Sequence, residues 1–129
     1  MRILLDTQCW LWMAAAPDRL SARARALVDT TDHELLVSAA SAWEIAIKHA
    51  LGKLTLPEPP ERYVPSRSEA LRTVPLAIEH AHALRVASLP PHHRDPFDRL
   101  LVAQAQIEDV PILTADPVFA RYDVPVIEA

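Results

Sequence analysis

Four acidic residues from distant stretches of the sequence, Asp6, Glu44, Asp98 and Asp116, are spaced so that their side chains could act together. Asp6 and Asp116 each follow a short apolar run, whereas Glu44 and Asp98 fall in the first or second turn of helical patterns. Carboxylates that converge without a positive partner raise one another's pKa unless a divalent cation holds them. Such oxygen ligands select Mg²⁺ or Mn²⁺ over zinc, and the bound ion can orient a water molecule for attack on a phosphodiester. The four acids therefore predict metal-dependent phosphodiester hydrolysis.

Each of these acids also has a purely structural interpretation. Asp6 is a suitable N-cap for the helix predicted after it, and Asp116 precedes a proline, which is typical of a helix start. Glu44 completes a capping box that begins at Ser41, and it stands four residues before Lys48, the spacing of a surface ion pair. Taken singly, the acids do not decide between capping and metal binding.

Local context strengthens the chemical interpretation of two acids. Ser38 is placed to cap the helix, so Glu44 lies in its second turn among apolar neighbours, where a carboxylate is costly unless a cation or hydrogen bonds compensate it. In Asp95-Pro-Phe-Asp98 the first acid is the candidate cap, and the helix that follows is apolar around most of its surface and should be buried. Asp98 is therefore the better ligand, and Asp95 is an accessory candidate.

Alternating strand-like and helical patterns must position these acids. Short apolar runs predict strands at 2–5, 35–37, 111–114 and 124–127, the last at a sheet edge because of its proline, with a weaker strand at 73–74. Helical spacing predicts helices at 7–16, 21–30, 39–51, 61–71, 76–88 and 96–109. The alternation predicts an α/β sandwich of three layers, with a mostly parallel central sheet of four to five strands flanked by helices. Its ligand site should lie at the carboxyl ends of the strands.

Composition limits the class of protein. The 129 residues, half of them hydrophobic, suit one domain with its own core. Cys9 is the only cysteine, so an intramolecular disulfide and a four-cysteine zinc site are excluded, and a reducing compartment such as the cytoplasm is expected. No apolar stretch approaches the roughly 20 residues that span a bilayer, which predicts a soluble protein. The single glycine, Gly52, excludes Walker and Rossmann phosphate loops.

The net charge of −4 is unfavourable for an enzyme that acts on nucleic acid, because phosphates are bound mainly by Lys and Arg. A divalent cation in an acidic pocket would offset this excess of negative charge. The basic residues then available to phosphates are Arg23, Arg25, Lys48, Lys53, Arg94 and Arg99.

Four segments of the chain resemble the PIN-domain nucleases, and within them the VapC-type toxins of toxin–antitoxin pairs. These segments are residues 3–7, 41–45, 93–104 and 113–116, of which the stretch 94–104 is the most specific. The resemblance implies a Mg²⁺-dependent endoribonuclease, a homodimer, and an antitoxin protein that blocks the active site. It makes Asp6, Glu44 and Asp98 the metal-binding core, with Asp116 as the fourth acid.

The same resemblance assigns supporting roles. Thr7 and Thr114 match small polar positions that support the acidic cluster, and Asp95 becomes accessory. Gln8 departs from the histidine often found at its position in close relatives. Arg99 adjoins Asp98, and it either reaches a substrate phosphate or pairs with Asp95.

The histidines and tryptophans are expected to serve packing or surfaces. His92 and His93 lie in a proline-bounded loop, and His80 and His82 face different sides of a predicted helix. The three tryptophans, at positions 10, 12 and 43, are interpreted as core or partner-interface residues.

Two other functions compete with the nuclease. An aspartyl-phosphate phosphatase would use Asp6 as its nucleophile, but it needs a second aspartate two residues later, where Gln8 stands. A non-catalytic interaction module would use the acids only as helix caps.

Overall fold

A computed structural model describes all 129 residues as an α/β fold with five strands and six α-helices. The strands are β1 (Arg2–Leu5), β2 (Glu34–Ser38), β3 (Val74–Leu76), β4 (Ile112–Thr114) and β5 (Val126–Glu128). The helices are α1 (Thr7–Ala15), α2 (Ala22–Asp29), α3 (Ala39–Ala50), α4 (Pro60–Leu71), α5 (His80–Arg85) and α6 (Pro96–Glu108). Short 3-10 helices cover Pro17–Arg19, Val86–Ser88 and Pro117–Arg121. None of the helices is long and apolar enough to cross a bilayer.

The five strands form one parallel sheet in the order β3-β2-β1-β4-β5. Strands β2 and β3 lie on one side of β1, and strands β4 and β5 lie on the other side. The strand order therefore reverses between β1 and β4, which makes this position the topological switch point of the sheet. Open α/β sheets bind ligands at such a point, beside the carboxyl ends of the strands. Both edge strands contain or follow a proline, as an edge position allows.

Helices cover both faces of the sheet. Side chains alternate along β1, so Ile3 and Leu5 enter one core of twelve buried residues and Leu4 enters a second core of the same size. The first core includes Trp10 of α1, and the second includes Leu101 of α6. The predicted three-layer α/β sandwich with a parallel sheet of five strands is thereby confirmed.

Two predicted boundaries are wrong. The helix expected at 76–88 begins only at His80, because Leu76 pairs with Ser38 as the last residue of β3. The spacing of apolar residues carries no information about the backbone hydrogen bonds that β2 can make with an edge strand, so it could not predict that Leu76 joins the sheet. The last strand begins at Val126 instead of 124, because Pro125 has no N–H to donate, although its carbonyl accepts a hydrogen bond from Ile112.

Candidate active site

A cleft of about 320 Å³ lies at the carboxyl ends of β1 and β4. Acidic side chains from four separate elements and loops line it, namely Asp6, Glu44, Asp95, Asp98 and Asp116. Lys48 and Lys53 line the same cleft and are its basic residues. The structure thus brings together the four acids predicted as ligands and the predicted accessory acid, and their roles toward a metal remain predictions.

Asp6 is held at the base of the cleft by both of its carboxylate oxygens. The residue follows β1 and caps α1, with Oδ1 accepting the Cys9 N–H at 2.7 Å. Oδ2 accepts a hydrogen bond from the Thr114 hydroxyl at the end of β4. Asp6 is only 6% exposed, and this burial raises the pKa of its carboxyl even though the Thr114 bond acts in the opposite direction. Its orientation is therefore fixed, while its negative charge is poorly compensated.

Glu44 projects from the second turn of α3 and is 5% exposed. Ser38 caps this helix through its side chain, as expected, so Ser41 and Glu44 do not form the capping box. Lys48 Nζ contacts Glu44 Oε2 at 2.5 Å, and this hydrogen bond raises the pKa of the lysine. The other oxygen, Oε1, is buried and has no hydrogen-bond partner. Lys48 thus compensates Oε2 alone, and no group of the protein donates to Oε1.

Asp98 and Asp95 stand at the start of α6. Asp95 caps the helix, its Oδ1 accepting the Phe97 N–H at 2.8 Å. Asp98 lies in the first turn, and burial raises the pKa of its carboxyl to about 7, helped by the negative charges of Asp95, Glu44 and Asp6. Asp98 is thus the acid whose ionisation the surrounding protein opposes most clearly.

Asp116 is the most exposed of the four predicted ligands, with 36% of its side chain accessible. Its Oδ1 caps the 3-10 helix that follows by accepting the Val118 N–H at 2.9 Å. Its own N–H donates to Thr114 Oγ1 at 3.0 Å, so Thr114 links Asp116 to Asp6. The predicted supporting role of Thr114 therefore has a direct geometric basis.

Thr7 supports the cluster through a residue that sequence analysis considered only as a cap. The Thr7 hydroxyl donates to Ser41 Oγ at 2.8 Å, and both side chains are buried. This bond fixes the start of α1 against α3, three residues before Glu44. Because two small hydroxyl residues 34 positions apart carry no sequence signal of contact, Ser41 was not predictable in this role.

His93 is the residue that sequence analysis missed. Its Nε2 lies 3.0 Å from Oδ2 of Asp98 and 3.0 Å from Oδ2 of Asp116. These three side chains form a group whose ligand atoms all lie within 4.8 Å of one another. The sequence signals for it were its position two residues before the Asp95-Pro-Phe-Asp98 motif and its place at the start of the segment 93–104 that resembles the PIN-domain nucleases. The structure places His93 against two acids of the cleft, where the sequence had suggested only a surface or packing position.

Arg99 does not pair with Asp95, one of its two predicted partners. Its guanidinium donates to the backbone carbonyls of Val86, Leu89 and Pro90, at 3.1, 3.4 and 2.9 Å. It also approaches the Tyr122 hydroxyl at 3.4 Å. The arginine therefore fastens the loop that leads to His93, and it is not among the residues that line the cleft.

Four other basic and aromatic residues considered in the sequence do not line the cleft, namely Arg25, Arg94, Trp10 and Trp43. Arg25 pairs with Asp18 at 3.4 Å, and Arg94 is exposed. Trp10 is fully buried, whereas Trp43 is 58% exposed and meets the Phe97 ring edge-on with centroids 5.1 Å apart. The interpretation of Trp10 as a core residue is confirmed.

The chemistry of the cleft fits a hard divalent cation. Its donors are carboxylate oxygens, which Mg²⁺ and Mn²⁺ prefer. A buried, charged oxygen without a donor, such as Glu44 Oε1, is costly in free energy unless it is paired. Burial also raises the pKa of Asp6 and Asp98, as expected where negative charge lacks compensation. A cation bound between these side chains would relieve all three of these costs.

Comparison with solved structures identifies the same fold elsewhere. VapBC2 from Rickettsia felis, bound to a DNA fragment from its promoter, superposes with a TM-score of 0.74 over 99% of this chain and 98% of that chain. DNA-bound VapBC from Salmonella typhimurium gives 0.71 with the same coverage. Both are 14% identical in sequence, a likeness that establishes the fold alone.

Sequence comparison identifies the family. Ribonuclease VapC16 of Mycobacterium tuberculosis is 53% identical over 58 residues, which span 45% of this chain and only 41% of that protein. Ribonuclease VapC22 of the same organism is 34% identical over 104 residues, or 80% of this chain and 78% of that protein. The PIN domain family model matches residues 3–125. The chain therefore belongs to the PIN-domain family, and within that family it is similar to the VapC ribonucleases.

Proposed function

We propose that this protein is a Mg²⁺- or Mn²⁺-dependent endoribonuclease and the VapC-like toxin of a toxin–antitoxin pair. The observation that carries the proposal is the unpaired, buried Oε1 of Glu44 in a cleft that it shares with Asp6, Asp98 and Asp116. The similarity to VapC16 and VapC22, both named as ribonucleases, supports RNA as the substrate. We infer a single PIN domain that acts in the cytoplasm.

The four acids would hold the cation, with Asp6 and Glu44 at the buried end of the cleft and Asp116 at its more exposed side. When bound, the cation supplies positive charge that favours ionisation of water and balances charge on the leaving oxygen. Lys48 and Lys53 line the same cleft, where they would bind the substrate phosphate. Hydrolysis in this arrangement leaves a 5′-phosphate and a 3′-hydroxyl.

We further propose an antitoxin protein partner that blocks this cleft, and a homodimer of the toxin. The neighbours of similar fold are described as VapBC complexes, which supports a partner of that kind. Expression of the wild-type chain should arrest growth of a bacterial host, and co-expression of the antitoxin should restore it. Sedimentation equilibrium should give twice the chain mass of 14.4 kDa. Growth unaffected by the toxin, or a monomer at micromolar concentration, would count against these assignments.

Cleavage of RNA tests the catalytic proposal. The wild-type protein should cleave RNA with Mg²⁺ and lose that activity in EDTA, while Asp6→Asn should lower the rate by at least 100-fold. Asp18→Asn is the matched control, because this aspartate is 95% exposed and pairs with Arg25 away from the cleft. Activity that survives both EDTA and Asp6→Asn would refute the proposal.

Calorimetric titration with Mn²⁺ separates an enzyme from an interaction module whose acids are only caps. Asp98 caps nothing, so Asp98→Asn should weaken Mn²⁺ binding at least tenfold while the fold persists. Unchanged Mn²⁺ affinity in this variant would favour the interaction module. A phosphoenzyme trapped at Asp6 would instead support the phosphatase.

A further inference from the structure

The His93 ring is held through both of its nitrogens. Nδ1 accepts a hydrogen bond from the Asp95 N–H at 3.2 Å. Nε2 lies 3.0 Å from one oxygen of Asp98 and 3.0 Å from one oxygen of Asp116. The ring thus spans the start of α6 and the end of β4, and it contacts two acids of the cleft at a single nitrogen.

These contacts determine which nitrogen carries the ring proton. A backbone N–H can only donate, so Nδ1 must present its lone pair to Asp95, and the proton of the neutral ring then resides on Nε2. That N–H donates to Asp116 Oδ2 at 3.0 Å, and Asp98 Oδ2 lies at the same distance from Nε2. A metal ligand at Nε2 would need the opposite tautomer, with an Nδ1–H directed against the Asp95 N–H. The local backbone therefore favours His93 as a donor and opposes its use as a ligand.

The loop before α6 is fastened so that the ring stays in place. The His93 N–H donates to the Tyr122 hydroxyl at 2.7 Å, and Tyr122 is 4% exposed. Arg99 binds three carbonyls of residues 86–90, immediately before this point. The ring also meets Phe119 edge-on, with centroids 5.9 Å apart. The loop and the ring are therefore held by backbone and side-chain contacts on several sides.

We propose that His93 is a positioning residue of the metal site: its Nε2–H donates to Asp116 Oδ2, and Nε2 also lies 3.0 Å from Asp98 Oδ2, so the ring holds the two acids together. The hydrogen bond uses one lone pair of Asp116 Oδ2, and Asp116 keeps a second lone pair on each oxygen. Asp98 contacts the ring only through Oδ2. Hydrogen bonds of this kind orient ligating carboxylates and typically contribute 10- to 100-fold to metal affinity. The proposal rests on the proposed function, because it assumes that these acids bind a cation.

Ring NMR of the metal-free protein tests the geometry without any metal. Long-range ¹H–¹⁵N spectra at pH 8, assigned with His93→Gln, should show the proton of His93 on Nε2. An Nδ1–H tautomer would overturn the proposal, whether or not the protein proves to be a nuclease.

Pulsed EPR of the protein loaded with one equivalent of Mn²⁺ distinguishes a donor from a ligand. The wild-type spectrum should lack the nitrogen coupling of a directly bound imidazole and should match that of His93→Gln. A strong nitrogen coupling that disappears in His93→Gln would show that His93 is a ligand, which overturns the proposal.

Mn²⁺ affinity measured by calorimetry completes the test. Glutamine can donate from a position close to Nε2, whereas methionine has similar length and cannot, so His93→Met should bind about tenfold more weakly and His93→Gln should retain most of the affinity. His80→Gln, at an exposed position on α5, is the matched control and should equal wild type. Equal affinity of His93→Met and wild type would overturn the positioning role. Failure of the wild type itself to bind Mn²⁺ would instead refute the proposed function, and the NMR result would then still decide the ring geometry.

Discussion

At the scale of a single residue, the carboxyl of Asp98 should make the stability of the metal-free protein depend on pH. Burial and nearby acids raise its pKa from the ordinary 3.8 to about 7. The folded, metal-free protein thus holds this proton more tightly than the unfolded chain does. The stability contribution is fully present below about pH 4 and is lost as pH rises through about 7. Metal-free wild type should therefore lose more stability between pH 5 and 8 than Asp98→Asn, measured by urea unfolding in EDTA.

Asp18→Asn serves as the control for this measurement, because its side chain is exposed and distant from the cleft. It should follow the wild-type pH dependence. Parallel curves for wild type and Asp98→Asn would show that the carboxyl of Asp98 does not titrate in this range.

At Asp6 and Asp116 the predicted capping role is present in the structure, where one oxygen of each accepts a backbone N–H at a helix start. The other oxygen contacts Thr114 at Asp6 and His93 at Asp116. The cap therefore uses only one oxygen of each acid, and the predicted ligand role stays a prediction. His93 escaped prediction because its contacts with Asp116 depend on packing between the α6 loop and β4, 23 residues later.

At the scale of an element, Asp95 at the start of α6 has two separable effects. Its side chain caps the helix, and its negative charge raises the pKa of Asp98. Asparagine caps about as well as aspartate, whereas alanine does not. Asp95→Ala should therefore cost about 1 kcal/mol of unfolding free energy, while Asp95→Asn should stay within about 0.5 kcal/mol of wild type. Asp95→Asn should also bring the pKa of Asp98 closer to its ordinary value, because it removes a nearby negative charge. Urea unfolding and carboxyl NMR titration measure the two effects.

Equal stability of the alanine and asparagine variants would contradict the capping role. An unchanged Asp98 titration in Asp95→Asn would show that burial alone raises that pKa.

Elements with strong local signals were predictable, and those that depend on distant partners were not. The bounds of α3 and α6 were predicted to within one residue, because Ser38 and Asp95 cap them and the apolar spacing is regular. The start of α5 was not, since pairing of Leu76 with Ser38 competes with helix formation. The course of residues 86–93 depends on Arg99 binding three carbonyls, a contact that no local pattern encodes.

The sheet order accounts for the position of the cleft at the scale of the whole molecule. Strands β1 and β4 are neighbours although more than 100 residues separate them, so Asp6 and Asp116 meet only when these two strands pair. Sequence alternation predicted the edge at which the acids gather, but the strand order that makes β1 and β4 neighbours was not specified. A site assembled in this way should depend on global folding and should in turn stabilise it when occupied.

Divalent cations should therefore stabilise the whole protein against thermal unfolding. Binding to the folded state alone adds RT ln(1 + [L]/Kd), or about 2.7 kcal/mol at a hundredfold excess of Mg²⁺ over its Kd. A carboxyl binds a cation well only after losing its proton, so the proposed ligand role of Asp98 predicts a larger rise in Tm at fixed Mg²⁺ at pH 8 than at pH 6. Differential scanning calorimetry measures both effects, with Asp18→Asn as the control. In Asp6→Asn the Mg²⁺-induced rise should nearly vanish at both pH values, and a rise equal to that of wild type would place the stabilising cation elsewhere on the molecule.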